Sequence, residues 1–319
     1  MTPRPGRAAL VLAALGLFLV WSNSFVAISF LLGGDRSAAR LDWVSLTVAR
    51  FLPAAAVCAV YCLGFHRRES LDVARRHWRR LLACAIAAVP GYNFALYYGQ
   101  QHGVPAPIAS LTTTLLPLMV MSLAALFLHE PLTRNRILGF VVAALGMGLV
   151  ASARRGEGGA AYAVTVAVTA LAPLTWSIYT VLSKPMAHRV PPLLWTYLSV
   201  GLGGLLVLPF LPGPVWTQCL ALDGVGWFAV LYLTFPCTVL GFALWTWLLK
   251  HLPASSVGFT VFLNPPLTTL SKLALAALFP AVFLFQVTAR ELVGGVVALA
   301  GLLIAVAPRQ SLRKGPPKG

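Results

Sequence analysis

A chain of 319 residues with 59% hydrophobic and only 10% charged side chains, and a mean hydropathy of +0.82, has more apolar surface than a water-soluble fold of that length buries. It is read as an integral membrane protein. Its formal charge of +16 sits in short connections beside apolar runs, which is the pattern of membrane orientation and excludes a nucleic-acid binder.

The apolar runs are about 20 residues long, the length of a membrane-spanning helix, and they lack the alternation of barrel strands. The predicted fold is therefore all-α and membrane-integral, with ten transmembrane helices. The first, 8–32, exceeds the apolar core of roughly 7–15 residues found in a cleaved signal peptide, and it holds Trp21, Ser22, Asn23 and Ser24. The second, about 43–64, contains Arg50. That arginine lies some way along its helix from Asp42, about 12 Å at the standard rise, and is expected to turn inward onto carbonyls or tyrosine hydroxyls.

The connection 66–80 is the most basic stretch and is predicted to lie on the membrane surface with Trp78 among the headgroups, where membrane lipid is its partner. Helices three and four follow at 82–101 and 105–128. They carry Tyr92, Asn93, Tyr97, Tyr98 and Gln100, then Thr112, Thr113 and Thr114. A fifth span, 137–153, leads into a glycine-containing link, 154–160.

The remaining spans fall at about 162–183, with Trp176 and Tyr179; 192–212; 225–249, with Trp245; 253–276, with Asn264 and Lys272; and 289–308. Lys272 lies near the outer end of its span, where it serves either as a snorkelling anchor or as a site residue. The tail, 310–319, is short, basic and rich in Gly and Pro, a composition of disorder.

Ten spans place both termini on one side. Of the 24 Lys and Arg residues, Arg50 and Lys272 fall within spans, 17 lie on the side of the termini, and five (Arg36, Arg40, Arg154, Arg155, Arg290) on the other. Both termini are therefore predicted to be cytoplasmic. The eight acidic residues and the six histidines fall in connections or at span ends, so no central carboxylate is available to relay protons. Proton coupling would need Glu130, Glu291 or a path of tyrosines and water. The five cysteines show no paired metal spacing and read as packing residues. No cofactor or metal is expected, and the oligomeric state stays open, a monomer being compatible with the pattern.

The stretch 92–117 returns without a gap as 240–265. Phe94-Ala95-Leu96-Tyr97 faces Phe242-Ala243-Leu244-Trp245, Pro105-Ala106 faces Pro253-Ala254, and Pro117 faces Pro265. Trp21-Ser22 likewise aligns with Trp176-Ser177, and Gly139 and Gly146 with Gly294 and Gly301. The predicted halves are 1–153 and 161–309. Each has five spans, an odd number, so the second must be threaded in the opposite sense. Inverted repeats of this kind suit alternating access around a central site. Prolines at related depths, among them Pro90, Pro117, Pro236 and Pro265, predict interrupted helices that open carbonyls to a cavity and act as hinges.

Polar groups in hydrocarbon are costly unless they face a cavity or a neighbouring helix. Candidate substrate-binding residues are therefore Trp21, Asn23, Tyr92, Asn93, Tyr97, Tyr98, Thr113, Trp176, Tyr179, Trp245 and Asn264, with Arg50 and Lys272 as intramembrane charges able to attract a carboxylate. The equivalent pairs Tyr97/Trp245 and Trp21/Trp176 predict a cavity flanked by aromatics. Its asymmetry is expected where the copies differ: Tyr98 against Thr246, Asn93 against Gly241, Leu116 against Asn264.

Trp21-Ser22-Asn23-Ser24-Phe25 in the first helix, Arg50-Phe51 in the second, and Glu130-Pro131-Leu132-Thr133 followed by Gly139 and Gly146, set in two five-helix repeats, resemble the EamA-type branch of the drug/metabolite transporter superfamily over nearly the whole chain. The resemblance implies a multi-pass exporter of amino acids or related small metabolites in the bacterial inner membrane, not an enzyme. The second copy has Phe285-Gln286-Val287-Thr288 in place of the acidic motif, so no symmetric glutamate pair is carried over. Two other readings stay open. One is an exchanger of phosphorylated or carboxylated anions using Arg50 and Lys272. The other is a membrane enzyme or assembly factor, for which the sequence offers no metal cluster, nucleotide loop or nucleophile with a base.

Overall fold

The computed structural model describes residues 5–33, 39–129, 134–152, 164–165, 167–280, 283 and 289–306. The predicted link 154–160, the tail 310–319, and the motifs at 130–133 and 285–288 lie outside the described residues. Among those described there are helices and no strand.

Helix α1 is Arg7–Leu31. Helix α2, Trp43–Ala59, runs on through a wide π turn, Val60–Phe65. Helix α3 joins Arg67–Ile86, the π turn Ala87–Gly91 and Tyr92–Gln101. Helix α4 joins Ala106–Thr112, a tightened 3-10 turn Thr113–Leu115 and Leu116–Leu128. Then come α5, Arg134–Ser152, α6, Leu171–Arg189, and α7, Pro192–Leu205. Helix α8 repeats the plan of α3, with Gly224–Tyr232, the π turn Leu233–Leu240 and Gly241–His251. Helix α9 repeats that of α4, with Ala254–Phe259, the 3-10 turn Thr260–Leu263 and Asn264–Leu278. Helix α10 is Ala289–Val306.

Seven of these rods, α1 to α4, α7 carried on through a 3-10 turn to Phe210, α8 and α9, are long and apolar enough to cross a membrane. Over their described residues α5, α6 and α10 fall short of that measure. Two boundaries differ from the sequence-based expectation. The stretch predicted as a surface connection and the span after it form one 35-residue rod, Arg67–Gln101. Its arginines, leucines and alanines are good helix formers, and within Arg67–Ile86 the backbone leaves helical geometry at His77 (φ −124°, ψ 21°). Trp78 is 55% exposed there. Helix α6 also runs on to Arg189, beyond the expected end at 183, and finishes in a basic last turn that suits the helix dipole.

The ends are set locally. Asp42 caps α2, its Oδ1 accepting from Val44 N and Ser45 N at 2.9 Å each, and Asp223 caps α8 by accepting from Gly226 N at 2.7 Å. The packing exchanges partners between the copies: α1 lies on α9 and α8, while α6, its repeat counterpart, lies on α4 and α3. Helices α5 and α10 pack on each other through the aligned glycines. A Cβ on Gly301 would stand 2.4 Å from Gly139 O, so this crossing admits no larger residue.

Candidate functional site

The four interruptions come in aligned pairs and point to one place. A π turn carries more backbone per turn than an α-helix needs and leaves carbonyls without their usual partner. In α3 the turn holds Pro90, and the Asn93 amide answers its freed carbonyls, Nδ2 donating to Ala88 O at 3.2 Å and Val89 O at 2.9 Å. In α8 the turn holds Pro236. There the indole of Trp21, from the other copy, donates Nε1–H to Cys237 O at 2.9 Å, and Thr238 Oγ1 donates to Leu233 O at 2.8 Å. The 3-10 turns are trimmed by threonine hydroxyls donating three residues back: Thr112 to Ala109 O, Thr113 to Ser110 O and Thr114 to Leu111 O in α4, and Thr260 to Val257 O in α9.

A cavity lies among these turns. Its wall is built from Trp21, Ser24, Phe25 and Ile28 of α1, Arg50 of α2, Tyr92, Asn93 and Leu96 of α3, Thr113 and Leu116 of α4, Trp176 of α6, Phe242 of α8, and Val261 and Asn264 of α9. Both copies contribute. About 40 Å³ is open to the centres of water-sized spheres, where one water needs roughly 10–15 Å³. In this conformation the cavity has room for a few waters, and a metabolite would require the wall to move.

One side of the wall is aromatic. Trp176 is its centre, edge-on to Trp21 at 5.3 Å and to Phe242 at 4.8 Å, with Tyr92 at 5.2 Å. Such edge-to-face arrays lock ring positions beyond their burial. Gly241 makes the array possible, since a Cβ there would stand 2.4 Å from Trp21 Nε1. The other side is polar and cationic. Arg50, 5% exposed, donates from Nε to Thr238 Oγ1 at 2.8 Å, and from Nη1 to Asn93 Oδ1 at 3.4 Å and to the Tyr97 hydroxyl. All three acceptors are neutral. No described carboxylate pairs with Arg50: Asp42 and Asp223 cap helices, Asp72 pairs with Arg76, and Glu69 sits in the exposed first turn of α3.

Of the residues proposed from sequence, Trp21, Arg50, Tyr92, Asn93, Thr113, Trp176 and Asn264 meet in this wall. Tyr97, Tyr179 and Trp245 are fully buried one layer behind it. Tyr97 holds Arg50, the Tyr179 hydroxyl meets Thr246 Oγ1 at 3.2 Å, and Trp245 backs Trp21 at 5.5 Å and Trp176 at 5.7 Å. Asn23 instead donates to Leu19 O of its own helix at 2.8 Å, and Tyr98 stacks on His102 at 4.0 Å. Lys272 is outside the wall and, at 5% exposed, is not a snorkelling anchor.

The selection of polar residues passed over Phe25, Ile28, Leu96, Phe242 and Val261, and took Ser24 only as part of a motif. Helical spacing was the available signal, because 21, 24, 25 and 28 share one face, as do 92, 93 and 96, and 261 with 264. Two of the three expected asymmetries fall on the cavity: Asn93 lines it while Gly241 makes way for Trp21, and Asn264 lines it opposite Leu116. Ser22 Oγ donates to Asn264 Oδ1 at 3.2 Å, whereas its counterpart Ser177 gives its proton to Pro173 O of its own helix at 2.6 Å and stands 3.4 Å from Leu116 O.

Residues 8–152 and 163–307 each match the EamA-like transporter family. The chain is 29% identical to a probable terminal-alkyne amino-acid exporter of Streptantibioticus cattleyicolor over 90% of this chain and 89% of that one. It is 25% identical to an uncharacterised transporter of Archaeoglobus fulgidus over 91% and 95%, and 26% identical to a probable amino-acid metabolite efflux pump of Salmonella typhimurium over 68% and 75%. A protein of known crystal structure shares the fold with a TM-score of 0.65 at 21% identity, covering 94% of this chain and 97% of that one.

Proposed function

Because the chain belongs to the EamA-like transporter family, we propose that it is a secondary transporter exporting amino acids or related small metabolites across the bacterial inner membrane. It works by alternating access, with ten membrane helices in two inverted five-helix repeats and both termini in the cytoplasm. The observation that carries this reading is a cavity walled by both copies where four interrupted helices meet. Interrupted spans facing a midplane cavity are how transporters present polar groups to a substrate and bend around it. The names of two relatives, an amino-acid exporter and an amino-acid metabolite efflux pump, support the substrate class.

Purified protein in liposomes loaded with a labelled amino-acid mixture is expected to release at least one member faster than protein-free liposomes. Retention of the whole mixture would count against the reading. The same amino acids should raise the melting temperature of the detergent-solubilised protein by mass action.

A second reading, exchange of phosphorylated or carboxylated anions, is favoured by the buried Arg50 in the cavity wall. It is weakened by Lys272 lying outside that wall, which leaves one cationic group to meet a multiply charged ligand. Counter-exchange of a sugar phosphate or a dicarboxylate in the same liposomes tests it.

A further inference from the structure

Resting on the transport reading, we propose that Arg50 receives the carboxylate of the transported molecule while the aromatic wall of Trp21, Tyr92, Trp176 and Phe242 receives the remainder. The cavity would then select acids over their amides and amines.

The first step is electrostatic. A guanidinium keeps its charge at any physiological pH, and a charge in the membrane interior is costly unless something answers it. Arg50 is buried, lines the cavity and has only neutral partners among the described residues. The missing negative charge is what a ligand carboxylate would bring.

The second step is geometric. The bonds of Arg50 engage Nε and Nη1, so the two N–H groups of Nη2 remain for a ligand. Its partners are themselves held in place. Asn93 has its amide N–H groups on Ala88 O and Val89 O of the α3 turn, which directs Oδ1 to Arg50. Thr238 gives its hydroxyl proton to Leu233 O of the α8 turn and so presents a lone pair to Arg50 Nε. The fork is oriented before any ligand arrives, as planar recognition of a carboxylate needs. It is also tied to both π turns, one from each copy, so a carboxylate bound there acts where both interrupted helices meet.

The third step is the asymmetry of the repeat. Asn93 is replaced by Gly241 in the second copy, and the room so created is taken by the Trp21 ring. One pole of the cavity is thus cationic and the other aromatic, which suits a carboxylate attached to an apolar or weakly polar body.

The test compares wild-type, Arg50→Gln and Arg50→Lys proteins in liposomes loaded with the twenty amino acids, and then with the amides of those that leave. Wild-type protein should move the acids faster than their amides. Arg50→Gln should lose roughly 10- to 100-fold on the acids, the range for a charge-assisted hydrogen bond, while its rate on the amides holds or rises, and Arg50→Lys should recover part of the loss. Wild-type rates on the acids in Arg50→Gln, or equal losses on acids and amides at an unchanged melting temperature, overturn the assignment and leave the transport reading intact. If Arg50→Gln does not fold, the wild-type protein decides alone, because equal rates on acids and amides overturn it. Failure of wild-type protein to move any amino acid removes the transport reading first, and this inference with it.

Discussion

Trp21 and Gly241 are understood only together. The indole reaches Cys237 O at 2.9 Å because position 241 has no side chain; even a methyl group would stand 2.4 Å from Nε1. Gly241→Ala is therefore expected to push the ring off the carbonyl of the π turn, at an overpacking cost of about 1–3 kcal/mol. It should lower the melting temperature of the solubilised protein and slow efflux. An unchanged melting temperature together with an unchanged rate would show that the ring has room to spare. At the start of α2, Asp42 is partly buried, which raises its carboxyl pKa, yet the hydrogen bonds from Ser45, Gln218 and Val44 outweigh burial and hold it below the ordinary 3.8. Its folded-state pKa is thus depressed, so the cap stabilises fully above about pH 4 and is lost as pH falls through the lower folded value. Asp42→Ala should cost about 1 kcal/mol at neutral pH, and its melting temperature should converge on that of wild type in acid. Asn93 and Asn264 were readable from sequence because an amide in hydrocarbon must face something. Phe25 and Ile28 were not, because lipid and a cavity wall accept the same side chains and composition cannot tell them apart.

The aligned prolines announced interruptions in α3, α4, α8 and α9, but not their kind. Pro90 and Pro236 sit in widened π turns, whereas Pro117 and Pro265 follow tightened 3-10 turns. The difference lies in what answers the displaced carbonyls: in the first pair the Asn93 amide of α3 itself, the Trp21 indole from α1 and the Thr238 hydroxyl reaching five residues back, in the second threonine hydroxyls reaching three residues back. The π turn of α8 places Thr238 against Arg50, five residues beyond its own acceptor, Leu233. Pro236→Ala returns an N–H to this stretch and lets an ordinary α turn compete with the wide one. Efflux should fall while the protein still purifies as a folded monodisperse species, and unaltered efflux would show that the wide turn does not depend on its proline. The basic stretch expected on the membrane surface continues without a break into the next span as one rod, Arg67–Gln101. Arginine is a good helix former, and charge decides only how far such a rod can sink into the membrane. Two of the glycines that align the copies meet where α5 and α10 cross, a Cβ on Gly301 standing 2.4 Å from Gly139 O, a contact that the alignment of Gly139 with Gly294 did not foretell.

At the scale of the molecule, the repeat seen in sequence becomes an exchange of partners. Helix α1 lies on α9 of the other copy and α6 on α4, and as Ser22 of α1 meets Asn264 of α9, so Ser177 of α6 stands beside Leu116 of α4. Two halves that grip each other in the same way have two related arrangements of similar energy, provided the cavity between them can close toward either side. Alternation can be read directly from Ser24, which lines the cavity on α1. The native cysteines Cys58, Cys62, Cys84, Cys219 and Cys237 are all buried, so they can be replaced by alanine or serine before Ser24→Cys is introduced. A membrane-impermeant thiol reagent should then label position 24 in right-side-out and in inside-out vesicles alike. A transported amino acid should slow labelling from both sides by occupying the same space, and it should do so less effectively when Arg50 is also changed to Gln. Labelling confined to one face, whatever the substrate, would mean that the cavity opens to that face alone and that the matched packing of the two copies is a relic of duplication instead of a working symmetry.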